Sequence, residues 1–292
     1  MDVGELRVFE AVARLGSMNR AAQELHTVQS NVTARIRSLE DELGVGLFVR
    51  HARGVSITPA GQRLLPFAGR LAKLLADARS ATRDDGRPGG VLLLGSLETT
   101  AGLRLSPVLT DFARTYPEVR LVLKTGTTRS LLDDVVECRL DAALVAGPVA
   151  HPELHCDPVF EEDLVLATCR TIRTLDDLRA VEDLRTIVFQ AGCSYRQRLE
   201  AFLAELGLVT AEPLEFGSLE AITSCVAAGI GVTLLPKGLV AKAWQDGLIA
   251  VHELPDGMAR AETLFVRRED AYLTSAATAF LDMIRSPQAG PL

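Results

Sequence analysis

Polar side chains that can bond DNA recur on one face of a helical pattern near the start of this 292-residue chain. The apolar residues of that pattern are Val28, Val32, Ile36, Leu39 and Leu43. Their intervals of three and four turn one face of a helix inward. The opposite face carries Gln29, Ser30, Thr33 and Arg37, with Arg35 near its edge. Because amide, hydroxyl and guanidinium groups bond base edges and phosphates, the spacing predicts a surface that contacts DNA.

Two short helices joined by a tight turn are expected to hold that surface in place. Ser17 can cap the first helix, since its hydroxyl accepts a bond from an unpaired amide of the first turn. Ala21 and Ala22 allow a second helix to approach closely, and residues 26–27 interrupt the pattern between the two. A helix presented in this way fits the major groove, which is about 12 Å wide.

A short hairpin follows the helix pair and adds two arginines. Residues 48–50 and 55–57 are expected to form its strands and 51–54 its turn. Arg50 lies on the first strand and Arg53 at the tip, where a guanidinium can enter the narrower groove and its concentrated negative potential. A helical hairpin in an ordinary core is the alternative, and the order helix, helix-turn-helix, wing favours DNA reading over it.

The segment resembles the DNA-binding domain of the LysR-type transcriptional regulators. The positions that carry the resemblance are Phe9, Ala13, Gly16, Ser17, Ala21, Ala22, Leu25, Gln29, Ser30, Val32, Ile36, Leu39, Glu40, Leu43, Gly44, Leu47, Phe48, Arg50, Thr58, Pro59, Ala60 and Gly61. Members of that family often have a basic or polar residue where this chain has Ala34, and a glutamine where it has Arg35. The resemblance therefore implies a winged helix-turn-helix over residues 1–58 that binds double-stranded promoter DNA, with a base preference of its own.

A long helix is predicted after the wing, from Pro59 to residue 83, because Thr58 and Pro59 form a capped, proline-first helix start. Its 25 residues would extend about 37 Å at 1.5 Å per residue. The apolar stripe of this helix is Leu64, Ala68, Leu71, Leu75 and Ala78. It can pack on the chain's own C-terminal part or on a second copy. In the LysR family the linker helix pairs antiparallel with its mate, so the resemblance implies a homodimer that can pair into a homotetramer, with linker and hinge at 59–86.

Strands and helices alternate beyond residue 90. The predicted strands are 91–94, 121–123, 140–145, 164–167, 186–189, 231–235 and 263–266, and the predicted helices are 103–114, 195–206, 219–228 and 273–284. Buried strands joined by helices indicate a largely parallel α/β sheet. The resemblance implies a two-lobed, periplasmic-binding-protein-like α/β effector domain over residues 87–292. Lobe 1 then covers about 91–161 and 266–292, and lobe 2 about 162–265.

A small-molecule effector is expected in the cleft between these lobes, where strand ends meet helix starts and free amides favour anions. The candidate contacts are Ser96, Thr99, Thr100, Thr125, Thr127, Thr128, Cys193 and Ser218. Each hydroxyl can also be a plain helix cap. A carboxylate effector fits these groups, but Glu98 at the same place would repel one, so neutral and cationic ligands stay open.

Cys193 offers a second interpretation, as a redox sensor. A thiol in a loop that enters a helix can have a lowered pKa, and peroxide-sensing members of the family have a reactive cysteine in a similar context. Arg196 and Arg198 follow it, but the downstream helix contains no second cysteine. A role in lining the cleft is therefore preferred.

Charge and composition agree with a regulator. Residues 1–90 hold 13 Lys and Arg against 10 Asp and Glu, a net of +3, whereas residues 91–292 hold 18 against 28, a net of −10. The basic excess lies with the predicted DNA reader. The five cysteines show no metal-site spacing, and no cofactor is expected.

Other protein classes find little support in the sequence. Motifs of hydrolases, metalloproteases and nucleotide-binding enzymes are absent, which argues against an enzyme. A transport-type binding protein would suit the two lobes but not residues 1–90. The first residues, MDVGELRVF, lack the basic-then-apolar order of a signal peptide, and no apolar run spans a bilayer. We therefore expect a cytoplasmic protein without a membrane partner.

Overall fold

A computed structural model describes residues 1–51, 54–189 and 194–286. Two of the predicted contacts, Arg53 and Cys193, lie outside these described residues. The chain divides into two compact units. Residues 1–85 with 137–139 are termed the N-terminal unit, and residues 86–136 with those from 140 onward the C-terminal unit. Within the described residues, no helix has both the length and the apolar character needed to cross a membrane.

The described part of the N-terminal unit contains four helices and a hairpin. They are α1 (Val3–Leu15), α2 (Met18–Glu24), α3 (Gln29–Leu43), β1 (Phe48–His51), β2 (Gly54–Ile57) and α4 (Pro59–Arg83). Phe9, Ala21, Val32 and Leu39 are fully buried in one core, and the Phe9 and Phe48 rings pack 5.4 Å apart. The predicted winged helix-turn-helix is confirmed.

Two residues of the predicted inward stripe of α3 are not buried. Val28 is 65% exposed because it is the N-cap residue, one position before the helix. Leu43 is exposed because it ends the last turn, directly before Gly44. The stripe that faces the core is therefore shorter than predicted and consists of Val32, Ile36 and Leu39.

Helix α4 begins and ends where the sequence predicts, with the Thr58 hydroxyl accepting the Gly61 amide at 3.1 Å. A side chain at Gly61 would approach the Leu47 carbonyl to 2.6 Å, so this helix start lies directly against the wing. Part of the predicted apolar stripe of α4 packs neither on the C-terminal part of the chain nor on a second copy. Ala68 is buried in the core of the N-terminal unit itself, with Leu64 and Leu71 packed against it.

A second apolar stripe of α4, which shares Leu71 and Ala78 with the predicted one, is largely exposed in the described chain. Phe67 and Leu74 are 65% and 62% exposed, and Ala78 and Ala81 continue the row. With the half-buried Leu71, these residues recur at intervals of four and three, the heptad spacing of helices that pair.

The C-terminal unit contains, in its described part, nine strands and its own set of helices, together with a short π-helix at Ala101–Leu105 and a short 3₁₀-helix at Asp176–Ala180. The strands are β3 (Gly90–Ser96), β4 (Val119–Thr125), β5 (Ala142–Ala146), β6 (Leu154–Cys169), β7 (Arg185–Phe189), β8 (Ala211–Phe216), β9 (Thr233–Pro236), β10 (Ile249–Glu253) and β11 (Arg260–Arg268). The helices are α5 (Glu98–Thr100), α6 (Ser106–Thr115), α7 (Thr128–Val136), α8 (Ser194–Glu205), α9 (Leu219–Ala227), α10 (Lys237–Gln245) and α11 (Ser275–Arg285).

The predicted largely parallel sheet is wrong. Strands β10, β6, β11, β5, β3 and β4 lie in that order, and β9 also pairs with β6. The β3–β4, β3–β5 and β7–β8 pairs are parallel, whereas β11 pairs antiparallel with both β5 and β6, and β6 with both β9 and β10. The sheet is mixed because the 16-residue strand β6 and the returning strand β11 run through both lobes.

The lobes share these strands and keep separate helices. The proposed lobe limits after residues 161 and 265 fall inside β6 and β11. As predicted, the last strand and helix return to lobe 1: β11 pairs with β5, and Phe280 of α11 packs on Phe112 of α6 with ring centroids 5.2 Å apart. Strands β8 and β10 and helix α10 were not predicted from the sequence.

Candidate DNA-binding face and effector cavity

The outward face of α3 presents polar groups in a continuous patch. Ser30, Ala34 and Arg37 are exposed at intervals of four and three, with Gln29 and Thr33 beside them. The Gln29 amide nitrogen donates to the Thr33 hydroxyl at 3.2 Å, which fixes the orientation of the amide. Four of the five predicted contacts on this helix therefore lie together.

Arg35 lies away from this patch. Its side chain is half-buried, and a β-carbon at Gly4 of α1 would clash with its Nη1. Glycine at position 4 thus leaves room for the guanidinium over the start of α1. The DNA contact of Arg35 stays a prediction.

The wing is fixed to α3 by Glu40. The Glu40 Oε1 accepts the amides of Leu47 at 2.7 Å and Phe48 at 3.1 Å. Strand β1 then pairs with β2, with Arg50 opposite Val55. Arg50 is exposed, as a DNA contact requires, while Arg53 lies outside the described residues.

A cavity of about 580 Å³ lies in the C-terminal unit at the ends of several strands. The lining residues from lobe 1 are Leu97, Glu98, Thr99, Lys124, Thr125, Gly126, Thr127 and Ser130, and those from lobe 2 are Phe189, Phe216 and Gly217. Its volume is typical of sites for small ligands. One wall is therefore rich in hydroxyls and the other carries two phenyl rings.

Three of the predicted effector contacts, Thr99, Thr125 and Thr127, line this cavity. The other described ones do not. Ser96 and Thr100 are buried, and the Ser96 hydroxyl donates to the Leu97 carbonyl at 3.0 Å. The Thr128 hydroxyl is buried outside the lining. Ser218 caps α9 and lines a second cavity of about 570 Å³.

Some hydroxyls of the polar wall already have hydrogen-bond partners within the protein, and others do not. Thr127 and Ser130 bond each other's amides, at 3.3 and 3.1 Å, and so cap the start of α7. Thr99 is only 4% exposed, yet its hydroxyl has no hydrogen-bond partner among the described residues. The Thr99 oxygen itself is buried, so a ligand atom in the cavity reaches it only after the side chain rotates. Because an unpaired buried hydroxyl costs free energy, a hydrogen bond from Thr99 to a ligand would be stabilising.

Lining residues that were not among the predicted contacts include Lys124, Ser130, Phe189 and Phe216. The phenyl rings end strands β7 and β8 and are register partners. In the sequence each phenylalanine is only an apolar residue at the end of a strand, and such a residue cannot be distinguished from a core residue. Among the described residues, no cluster of His, Cys, Asp or Glu is arranged to hold a metal ion.

Comparison with known proteins decides the family. A model of the bacterial regulatory helix-turn-helix protein, lysR family, matches residues 3–62, and a model of the LysR substrate binding domain matches residues 85–288. The chain belongs to the LysR family of transcriptional regulators. The resemblance on which the sequence prediction relied is confirmed.

Relatives in this family align over almost the whole chain. The HTH-type transcriptional regulator GltR of Bacillus subtilis is 39% identical over 285 residues, which cover 98% of this chain and 96% of GltR. The regulator YofA of Bacillus velezensis is 40% identical over 286 residues, 98% of each chain. The alignments therefore span nearly the whole of this LysR-family chain and of each relative.

Solved structures of the family share the fold. Full-length CbnR complexed with its target DNA is 25% identical, with a TM-score of 0.64 and coverage of 98% of this chain and 99% of CbnR. A full-length OxyR variant from Pseudomonas aeruginosa is 23% identical, with a TM-score of 0.74 and coverage of 98% and 95%. At that identity the OxyR likeness concerns the fold alone, and it lends no support to a redox function of Cys193.

Proposed function

We propose that this DNA-binding LysR-family regulator changes its binding to promoter DNA when a small molecule occupies the cavity lined by Thr99, and that it acts as a homodimer able to pair into a homotetramer. The observation that carries the proposal is Thr99, which lines a cavity of ligand size and whose buried hydroxyl has no partner among the described residues, in the same chain as a winged helix-turn-helix. The redox alternative gains nothing from the described residues and is not proposed.

The DNA contacts are assigned to the exposed patch of α3 and to the wing. Gln29, Ser30, Thr33 and Arg37 meet base edges and phosphates, Arg50 and Arg53 meet the neighbouring backbone or minor groove, and Arg35 supports α1. Arg37 is central because it is exposed and has no partner among the described residues. Each good base contact contributes about 1–3 kcal/mol of discrimination.

Fluorescence anisotropy with the chain's own promoter region tests this assignment. We expect Arg37→Ala to weaken the affinity by roughly 5- to 150-fold at physiological salt, which corresponds to about 1–3 kcal/mol. Arg114→Ala is the matched control, since it removes the same charge from an exposed site of the C-terminal unit. Equal affinities of the two variants would show that α3 is not the reading helix.

The outward stripe of α4 supports the homodimer. Exposed Phe67 and Leu74 in heptad spacing are an apolar surface that a second copy of the same helix covers. Sedimentation equilibrium of Leu74→Glu should give a smaller species than wild type. Val209→Glu, at a residue 92% exposed in the C-terminal unit, should not change the mass. An unchanged mass for Leu74→Glu would remove α4 from the interface.

Ligand-dependent thermal stability tests the cavity. A ligand at a hundredfold its Kd adds about 2.7 kcal/mol to the stability of the folded form. A broad panel of metabolites should contain a compound that raises the Tm of wild type but not of Thr99→Val. Thr100→Val is the matched control, because Thr100 is the next residue, is also buried, and lies outside the cavity lining. A ligand whose effect survives in Thr99→Val binds elsewhere.

A further inference from the structure

The charges on the cavity walls indicate what class of molecule fits. We infer that the effector is a small zwitterion, which places an ammonium group between Glu98 and the phenyl rings of Phe189 and Phe216 and a carboxylate against the Thr99 hydroxyl and the start of α7. This inference rests on the proposed function, since it takes the cavity to be the effector site.

Glu98 is the uncompensated charge of the cavity. It is exposed, and it has no ion pair or hydrogen bond with any described residue. The other charged lining residue, Lys124, is bonded through Nζ to Oδ2 of the buried Asp134 at 2.5 Å. Lys124 is therefore offset by its own partner, and a ligand meets the carboxylate of Glu98 as the dominant charge.

Other acidic residues near Glu98 strengthen the preference of the cavity for a positively charged group. Glu98 also lines the second cavity, where Glu220 and Asp246 stand with it and Lys242 is the one cation among the described lining residues. Charges of one sign along a cleft sum to a potential that concentrates ions of the opposite sign. The region around Glu98 thus attracts a cation and repels a dicarboxylate.

The apolar wall suits the same group. Phe189 and Phe216 are neighbours at the ends of parallel strands β7 and β8, and both line the first cavity. The faces of aromatic rings attract ammonium groups because the ring electrons make each face negative. A carboxylate and two phenyl rings on one cavity form a setting for an amine.

The opposite end of the ligand meets hydrogen-bond donors. The amides of Thr128 and Arg129 in the first turn of the nine-residue helix α7 have no acceptor among the described residues. Thr127 and Ser130 of the same turn line the cavity, whereas Thr128 and Arg129 are outside its lining. Their amides and the Thr99 hydroxyl are donors without an acceptor among the described residues. Free amides at a helix start favour an anion, and here that anion is the carboxylate of the zwitterion.

Matched probes measure the contributions of the ammonium and the carboxylate separately. The probes are the common amino acids, the same compounds without the amino group, and the same compounds without the carboxylate. Calorimetric titration of the full chain should find an amino acid that binds at least tenfold tighter than both of its truncated counterparts. Glu98→Gln should bind this amino acid at least tenfold more weakly than wild type. Glu220→Gln, which removes an exposed carboxylate of the second cavity only, should lose less than twofold.

The outcomes distinguish this inference from the proposed function. If no amine-bearing probe binds, or if a carboxylate lacking the amine binds equally well to wild type and Glu98→Gln, the zwitterion is wrong. The cavity can still pass the Thr99→Val test with another ligand in that case. If an amino acid binds and Thr99→Val leaves its affinity unchanged, the site itself is wrong.

Discussion

The DNA-binding face and the effector cavity are built in opposite ways. The face uses residues of a single helix, α3, at intervals of three and four, with a wing fixed to that helix by Glu40. The cavity draws on the ends of strands and starts of helices from Leu97 to Gly217, more than a hundred residues apart. The first arrangement is local in the chain, and the second exists only once a mixed sheet has formed.

The largest effect should come from the core that supports the face. Phe9→Ala removes a fully buried ring beside Phe48 and should lower the free energy of unfolding by about 3–5 kcal/mol, with loss of DNA affinity. Phe280→Ala removes an equally buried ring from the C-terminal unit and should keep DNA binding. Urea unfolding and DNA anisotropy of both variants measure the contrast. The comparison breaks if Phe280→Ala loses DNA affinity while Phe9→Ala keeps it.

A smaller effect is expected at the link between α3 and the wing. Glu40→Ala leaves the amides of Leu47 and Phe48 without their carboxylate, which should cost about 1–3 kcal/mol. Asp41→Ala, at the neighbouring exposed position, is the control. Urea midpoints should rank wild type and Asp41→Ala together above Glu40→Ala. Equal midpoints for all three would show that the wing is held by packing alone.

The DNA-binding face is local in the chain and the cavity is not, and for this reason the sequence predicted the face better than the cavity. Gln29, Ser30, Thr33 and Arg37 were predictable because helical periodicity alone sets which residues share a face. Arg35 was not, because only the room above Gly4 of α1 explains where its side chain lies.

In the C-terminal unit, the order of strands and helices was largely predictable from apolar runs. The mixed sheet was not, since strand direction depends on distant pairing partners such as β6 and β11. Thr99, Thr125 and Thr127 were identified as lining residues from their place after strands, but so were Ser96, Thr100 and Thr128, which lie outside the lining. Phe189 and Phe216 carried no polar signal at all.

The smallest expected effect is a difference between the two units in how their stability depends on pH. Burial lowers the pKa of His252 in the C-terminal unit, against the opposing charge of Asp177, and its Nε2 lies 3.0 Å from the Thr168 hydroxyl. A lowered pKa means that the folded form disfavours the protonated ring. The stabilisation is therefore complete above about pH 6.5, the usual pKa of the ring, and is lost as the pH falls.

In the N-terminal unit, by contrast, bonds from the Ser38 hydroxyl and the Asp2 amide lower the pKa of Glu5 below 4.5. Its stabilisation is lost only at pH values below that. Urea midpoints between pH 7 and 5 should thus fall for wild type and flatten in His252→Gln, whereas Glu5→Gln should leave this window unchanged. An identical slope for His252→Gln and wild type would contradict the assignment.

The most direct test of the account is the coupling between the face and the cavity. DNA affinity should be measured by anisotropy with and without a ligand that raises the Tm, in wild type and in Thr99→Val. We expect the ligand to change the wild-type affinity by roughly 5- to 150-fold, the usual range for coupled sites. Thr99→Val should retain the unliganded affinity and lose the change. A ligand that binds at Thr99 yet leaves the DNA affinity of wild type unaltered would contradict the account.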